Sequence, residues 1–284
     1  MSAVGSPVAA KSPTMQRPVI LVTNDDGILA TGLQRLAAAL ERVADVFVVA
    51  PERECSGSGR SRCLDRHLRP RRLGPNRWCL NGTPVDCVKA ALQLALGRPD
   101  LLFSGINAGL NLGDDVTGSG TFGAAFEGAL DGISSVAISQ HAEADAGCAV
   151  AAEFALHLAA SLLERPLPPR TLLNVNVPAS AVLGVRVARL GGRQFDETVV
   201  TTASSEGRGL IRVRSRLPAA PDEEDTDIAA VEAGYIAITP LRVDLTDYWW
   251  MAAAGELARQ LDARRERAPD DGRVAVEGER FSSG

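Results

Sequence analysis

Lysine is nearly missing from this chain of 284 residues: of 30 basic side chains, only Lys11 and Lys89 are lysine. A Schiff-base lysine or the lysine of a phosphate-binding loop therefore has almost no candidates. Histidine occurs three times, at His67, His141 and His157, too scattered for a histidine-rich zinc site. The five cysteines (55, 63, 79, 87 and 148) form no C-x-x-C pair and are odd in number. That is the pattern of reduced thiols in a cytoplasmic protein rather than a disulfide framework. Formal net charge is −5, so no excess of basic charge advertises nucleic acid or an anionic membrane as a partner. No uncharged apolar run is long enough to span a bilayer. Residues 1–16 hold no compact apolar core of the kind a signal peptide needs. The expectation is a soluble cytoplasmic protein. G-x-S-x-G is absent, so no serine on a nucleophile elbow is implied.

What the chain does have is a hydrophobic content of 45 %, laid out in a regular order. "RPVILVTN" (17–24) reads as a fully buried strand. Leu33, Leu36, Ala37, Leu40 and Val43 then recur at helical spacing, and "DVFVVAP" (45–51) is a second strand. This β-α-β unit predicts parallel strands. Residues 52–76 read as a loop rich in Gly, Ser and Arg, and "RWCLNGTP" (77–84) as a short strand and turn. Thr83-Pro84 starts a helix, with a hydroxyl cap and proline in the first position, that runs to about Leu96. Strands follow at 99–105, 135–139, 171–178 and 234–241. Helices are expected at about 121–130, 148–163 and 248–264. Residues 106–120 read as a long polar loop, 183–217 as hairpin-type strands, and 222–227 as an acidic run. Up to residue 178 the alternation predicts an α/β fold, Rossmann-like, with a mostly parallel sheet in three layers.

Two features carry chemistry. "LVTNDDGI" (21–28) places two adjacent carboxylates, Asp25 and Asp26, at the end of a buried strand, where they repel each other unless a cation intervenes. In an open parallel sheet, ligands gather beyond the carboxyl ends of the strands. Asn24-Asp25-Asp26, Cys55-Ser56-Gly57-Ser58 and Gly105-Ile106-Asn107 all follow strands at that rim. Two carboxylates, a hydroxyl and an amide are oxygen donors suited to Mg²⁺, Mn²⁺ or Ca²⁺ more than to Zn²⁺. An ordinary Asp-Gly turn is the other reading of the dipeptide. The second feature is "GDDVTGSGTFGAAFEG" (113–128), where Gly118-Ser119-Gly120-Thr121 leads straight into a helix of small residues. Exposed amides and the helix dipole make such a start a phosphate cradle, although an ordinary helix cap uses the same residues. Gly118, Gly120 and Gly123 also match G-x-G-x-x-G, but too far beyond the preceding strand for a dinucleotide fingerprint. A cation beside a phosphate cradle points to phosphate-ester hydrolysis, with Asp25 or Asp26 orienting the attacking water.

The blocks "VTNDDG", "VVAPERECSGSG", "LNGTPVDCV", "SGINAGLNLGDDVTGSGTFGAAFEG" and "GYIAITPLRVDLT" run in order from about residue 18 to 247. With them the chain resembles the SurE family, the survival-protein metal-dependent nucleotidases. The resemblance implies a Rossmann-like core at 17–180 between a flexible tail at 1–16 and a C-terminal extension at 181–266, followed by a second flexible tail at 267–284. The extension, a β-hairpin and helix with a strand returning to the core, would be exchanged between subunits in a homodimer or homotetramer. The implied activity is hydrolysis of nucleoside 5′- and 3′-monophosphates, and in some members short polyphosphate, with one divalent cation per subunit. Carried over by position, the metal ligands fall on Asp25, Asp26, Ser56 and Asn107. The phosphate contacts fall on Asn111, Ser119, Gly120 and Thr121. Gly118 and Phe122 depart from the family's usual residues beside the pocket, an aromatic and a valine respectively.

Other readings compete. One is a non-catalytic nucleotide- or NAD(P)-binding module. Another is an aspartyl-phosphate phosphatase with Asp25 as nucleophile, although D-x-D-x-T/V is absent. Arg60, Arg62, Arg66, Arg69, Arg71 and Arg72 could guide an anion, form a solvated loop, or pair with the acidic run. His141 at the rim is expected to be an exposed loop residue rather than a base. Trp78 and the Trp249-Trp250 pair are expected to pack rather than stack on a nucleobase.

Overall fold

The computed structural model describes residues 17–93, 98–140, 148–179, 181–192, 196–203, 209–216 and 223–267. The expectations for His141, for the helix end near Leu96 and for the tails fall outside this set.

β1 (Val19–Thr23) is a run of Val, Ile and Leu ending in Thr, the composition of a strand covered on both faces. Alternate side chains leave on opposite sides. Ile20 and Val22 enter one core and Leu21 the other. The first core is closed by α1 (Thr31–Leu40), through Leu33, Leu36 and Leu40, and by α4 (Cys148–Glu164), through Ala151, Ala155 and Ala159. The second is closed by α2 (Pro84–Gln93), through Cys87 and Val88, and by α3 (Gly120–Leu130), through Phe122, Phe126 and Ala129. Three layers result, as the alternation predicted. α2 begins with a reciprocal cap: Asp86 N donates to Thr83 Oγ1 at 3.2 Å and Thr83 N to Asp86 Oδ2 at 2.9 Å.

Nine strands form the sheet. From one edge they are β3 (Pro70–Gly74), β4 (Arg77–Leu80), β2 (Asp45–Pro51), β1, β5 (Leu101–Asn107), β6 (Ser134–Gln140), β7 (Thr171–Val177), β11 (Tyr235–Arg242) and β8 (Gly184–Val187). From β4 to β7 every pairing is parallel. β3 runs antiparallel to β4, and β11 antiparallel to β7. The chain winds one way from β1 to β2 and the other way from β5 onward. The crevice at the carboxyl ends of β1 and β5 is therefore the switch point where such sheets bind ligands.

β9 (Asp196–Ala203) and β10 (Gly209–Arg216) form a separate antiparallel pair. α5 (Asp227–Glu232) precedes β11. The chain forms two compact units, one up to Val243 and one from Asp244. The second contains α6 (Met251–Arg267). Trp249 is 97 % exposed there and Trp250 56 %, so within one chain the pair does not pack; a contact between subunits was the other expectation for it. Trp78 does pack, stacked on Phe47 with ring centroids 6.2 Å apart. Three elements escaped the sequence pattern: β3, α5 and a 3-10 stretch at Gly113–Gly118. No helix among the described residues is long and apolar enough to cross a membrane.

Candidate active site

The chain leaves β1 through a turn in which Asn24 Nδ2 donates to Gly27 O at 3.0 Å. Gly27 has φ +98°, and a Cβ there would stand 3.2 Å from the Arg53 carbonyl carbon, so glycine lets the segment after β2 pass close by. Cys55 N donates to Asp25 O at 2.7 Å, which brings the Ser56 loop against the turn. The Asp25 carboxylate is buried and Oδ1 accepts a hydrogen bond from Thr121 Oγ1, across to the start of α3. β5, paired parallel with β1 so that Ser104 lies beside Thr23, ends at Asn107 on the same rim. Three strand ends, β1, β2 and β5, thus meet the start of α3.

Burial pushes the Asp25 carboxyl above its ordinary range, even though Thr121 and nearby backbone amides favour the ionised form. Asp26 is pushed up to about 6, by burial first and then by the neighbouring charge of Asp25, with a smaller contribution from Glu54. No basic side chain offsets either shift.

Ser119 caps α3, its Oγ accepting from Phe122 N at 3.1 Å. Gly120 then lies against the carboxylate: a Cβ there would be 2.6 Å from Ser58 Oγ and 2.9 Å from Asp25 Oδ2. The helix start is therefore both an ordinary cap and a wall of the aspartate pocket. It carries the positive end of the α3 dipole to the same place. Between β5, which ends at Asn107, and Gly118 lie loop and 3-10 turns, so the glycine pattern is not a strand-to-helix fingerprint.

Asn107 Nδ2 donates to Gly109 O at 2.6 Å, leaving its side-chain oxygen as the donor atom for a cation. Asn111 is fixed on all sides. Its N–H donates to Asn176 Oδ1 at 2.8 Å, its carbonyl accepts from Asn174 Nδ2 and Asn176 Nδ2 at 2.8 and 2.9 Å, and its Nδ2 donates to Ser139 Oγ at 2.9 Å. Asn174, Asn176 and Ser139 were missed in the sequence. The signal was "NVNV" (174–177), two amides at alternate positions of a fully buried strand. Of the four expected ligands, Asp25 and Asp26 share the pocket directly. Asn107 stands at the end of β5, the strand beside β1, and Ser56 follows Cys55, whose N–H is bonded to Asp25 O. The exposed Ser56 hydroxyl itself donates to Glu54 Oε1 at 3.0 Å.

The donors fit a hard divalent cation. Among the described residues the pair of carboxylates has no ion pair with a basic side chain, and Asn24 Oδ1 and Ser58 Oγ are buried oxygens that find no partner. No group of three His, Cys, Asp or Glu is assembled among the described residues, so an ion here would be held by two carboxylates and neutral oxygens.

Fold and rim together define a class: three-layer α/β proteins with an acidic, oxygen-rich pocket at the switch point, facing a helix N-terminus. The family described as "Survival protein SurE" matches residues 20–197. Relatives named "5'-nucleotidase SurE" are 44 % identical in Mannheimia succiniciproducens, covering 82 % of this chain and 96 % of the relative, and 45 % identical in Deinococcus radiodurans, covering 84 % and 91 %. The crystal structure of the SurE protein from Aquifex aeolicus superposes with a TM-score of 0.77 at 35 % identity, covering 85 % of this chain and all of that one. The chain belongs to the SurE family.

Proposed function

We propose that this protein is a 5′-nucleotidase, a phosphomonoesterase that hydrolyses nucleoside 5′- and 3′-monophosphates to nucleoside and phosphate, with short-chain polyphosphate as a further substrate. Relatives matched over 91–96 % of their own length carry the nucleotidase name. The observation that carries the reading is the hydrogen bond between Asp25 and Thr121: it joins an anionic, oxygen-rich pocket to the positive end of a helix. A cation site and a phosphate site are then one site.

One divalent cation per subunit (Mg²⁺, Mn²⁺ or Ca²⁺) would be held by Asp25, Asp26, Ser56 and Asn107. When bound it supplies Lewis acidity at the phosphoryl group and a lowered pKa for water. The chain's own groups do the rest. Ser119, Gly120 and Thr121, with Asn111, hold the phosphoryl group at the positive end of the α3 dipole. Asp25, fixed by Thr121, stands next to Asp26, and one of the two carboxylates accepts a proton from the attacking water. The walls around Asp25 are buried, which strengthens every charge interaction inside.

The subunit is expected to be cytoplasmic and to assemble with copies of itself as a homodimer or homotetramer. Phosphate release from a panel of nucleoside monophosphates is expected to stop with EDTA and to return with Mg²⁺ or Mn²⁺. Asp25→Asn is expected to stay folded and lose nearly all turnover. Full activity in a metal-stripped preparation would overturn the reading. The competing dinucleotide-binding reading predicts NAD(P) binding without phosphate release.

A further inference from the structure

Glu127 lies in the middle of α3 and is 0 % exposed, yet it meets three cations. Arg62 Nη2 reaches Oε1 at 2.5 Å, Lys89 Nζ reaches Oε1 at 2.8 Å, and Arg60 Nη2 reaches Oε2 at 3.5 Å. The Arg60 guanidinium also lies 4.1 Å over the Phe126 ring. Burial alone would raise the Glu127 carboxyl, but Lys89 and Arg62 outweigh it and hold the group below its ordinary range, so it is ionised at neutral pH.

Seven residues separate Glu127 from Gly120, about 10 Å along a helix. The carboxylate is therefore remote from the phosphate cradle, and its reach is through the segment it grips. Arg60 and Arg62 belong to the loop that carries Ser56 and Ser58. That loop touches the front of α3 at two glycines. Gly59 N donates to Gly118 O at 3.0 Å, and Gly123 comes so close that a Cβ on it would be 2.2 Å from Gly59 O. Beyond the arginines, Ser61 O accepts from Thr83 Oγ1 at 2.8 Å and Cys63 N donates to Asp86. Upstream, Cys55 N is bonded to Asp25 O. Contacts made by the loop's own short residues set where it touches; the charge pairs to Glu127 set how firmly it stays.

We propose that Glu127 is a positioning residue, a buried latch that holds the 55–63 loop, and with it the Ser56 and Ser58 hydroxyls, in register with Asp25 and the N-terminus of α3. The inference rests on the metal-dependent reading of that site and adds a part to it. Two arginines read in the sequence as candidates for anion steering are given a different task. Removing a supporting partner of a metal ligand weakens the metal on the order of tenfold.

The test uses the full chain and three variants: Glu127→Gln, which keeps the shape; Arg60→Met with Arg62→Met, which frees the loop alone; and Lys89→Met, which frees only the tie between α2 and α3. Amide hydrogen exchange over residues 55–63 is measured without metal, Mn²⁺ affinity by titration, and turnover as a function of Mn²⁺ concentration. Glu127→Gln and the double arginine variant are expected to speed exchange in the loop and weaken Mn²⁺ about tenfold. Excess Mn²⁺ is expected to restore much of the lost turnover, a rescue that general damage to the fold would not show. Lys89→Met is expected to match the wild type in all three. Should Glu127→Gln fail to fold, the arginine variant decides alone. Wild-type exchange and affinity in the arginine variant would overturn the latch, as would an equal loss in Lys89→Met. A wild-type protein that neither binds Mn²⁺ nor releases phosphate would instead sink the nucleotidase reading, leaving the exchange measurement to judge the latch.

Discussion

Asp26 shows how a functional residue works against its own fold. Its carboxyl stands at about 6 in the folded chain, against an ordinary 3.8. A raised folded value means that the protonated form is favoured by folding: the benefit is complete below about pH 4 and is lost as pH climbs through 6. Without metal, the ionised carboxylate is therefore a liability at neutral pH. Asp26→Asn is expected to raise the melting temperature of the metal-free protein, by a margin that grows from pH 4 to 7 and then levels, while abolishing turnover. Thermal scans of both proteins across that range check it, and a margin independent of pH would count against the burial argument. The adjacent aspartates were legible because two like charges after an apolar run are costly anywhere. Gly120 and Thr121 were legible as a helix start, but their contact with Asp25 spans 96 positions, and no local pattern encodes it.

Single elements reach the site from far down the chain. Asp227, the first residue of α5, is fully buried and its carboxylate accepts from Gly113 N, Gly191 N and Ile228 N, each at 2.9 Å. It ties the loop after β5 to the C-terminal third, and Leu112 packs beside it with Ala188, Ile228 and Val231. Burial raises the Asp227 carboxyl against the pull of those three amides. Asp227→Ala strands buried donors and is expected to cost about 2–4 kcal/mol in urea unfolding. It should also lower activity, because Gly113, two residues from Asn111, loses its anchor. A variant with wild-type stability would show that the amides find other partners. In the sequence Asp227 was only the end of an acidic run. Of the arginines proposed as partners for that run, Arg60 and Arg62 are engaged by Glu127, Arg71 by Glu52 and Arg72 by the carbonyls of Gly74 and Pro75. Arg189 takes Glu223 and Asp225 instead. β3 was missed for a related reason. Its residues are mostly exposed at a sheet edge, so no apolar alternation marks it.

At the scale of the whole molecule, the parallel sheet was readable from alternation up to β7; 234–241 was read as a strand, but its antiparallel place between β7 and β8 was not. β11 inserts antiparallel between β7 and β8, so residues 235–242 complete a sheet begun at residue 19. A chain ending at residue 192 retains every proposed ligand and phosphate contact. It leaves the β7 edge bare, beside Leu172, Leu173 and Val175, and removes Asp227. Such a fragment is expected to aggregate on expression, as unprotected apolar edges do, and recovery of a soluble, active fragment would contradict the sheet's dependence on β11. The same order of strands has a consequence during synthesis. A nascent chain emerges from the ribosome with the proposed catalytic carboxylates early and the strand that shields β7 late, on the order of ten seconds or more afterwards. Polypeptides abandoned part-way through translation would therefore carry the whole reaction chemistry without the means to use it, and hydrolysis would begin only in finished molecules.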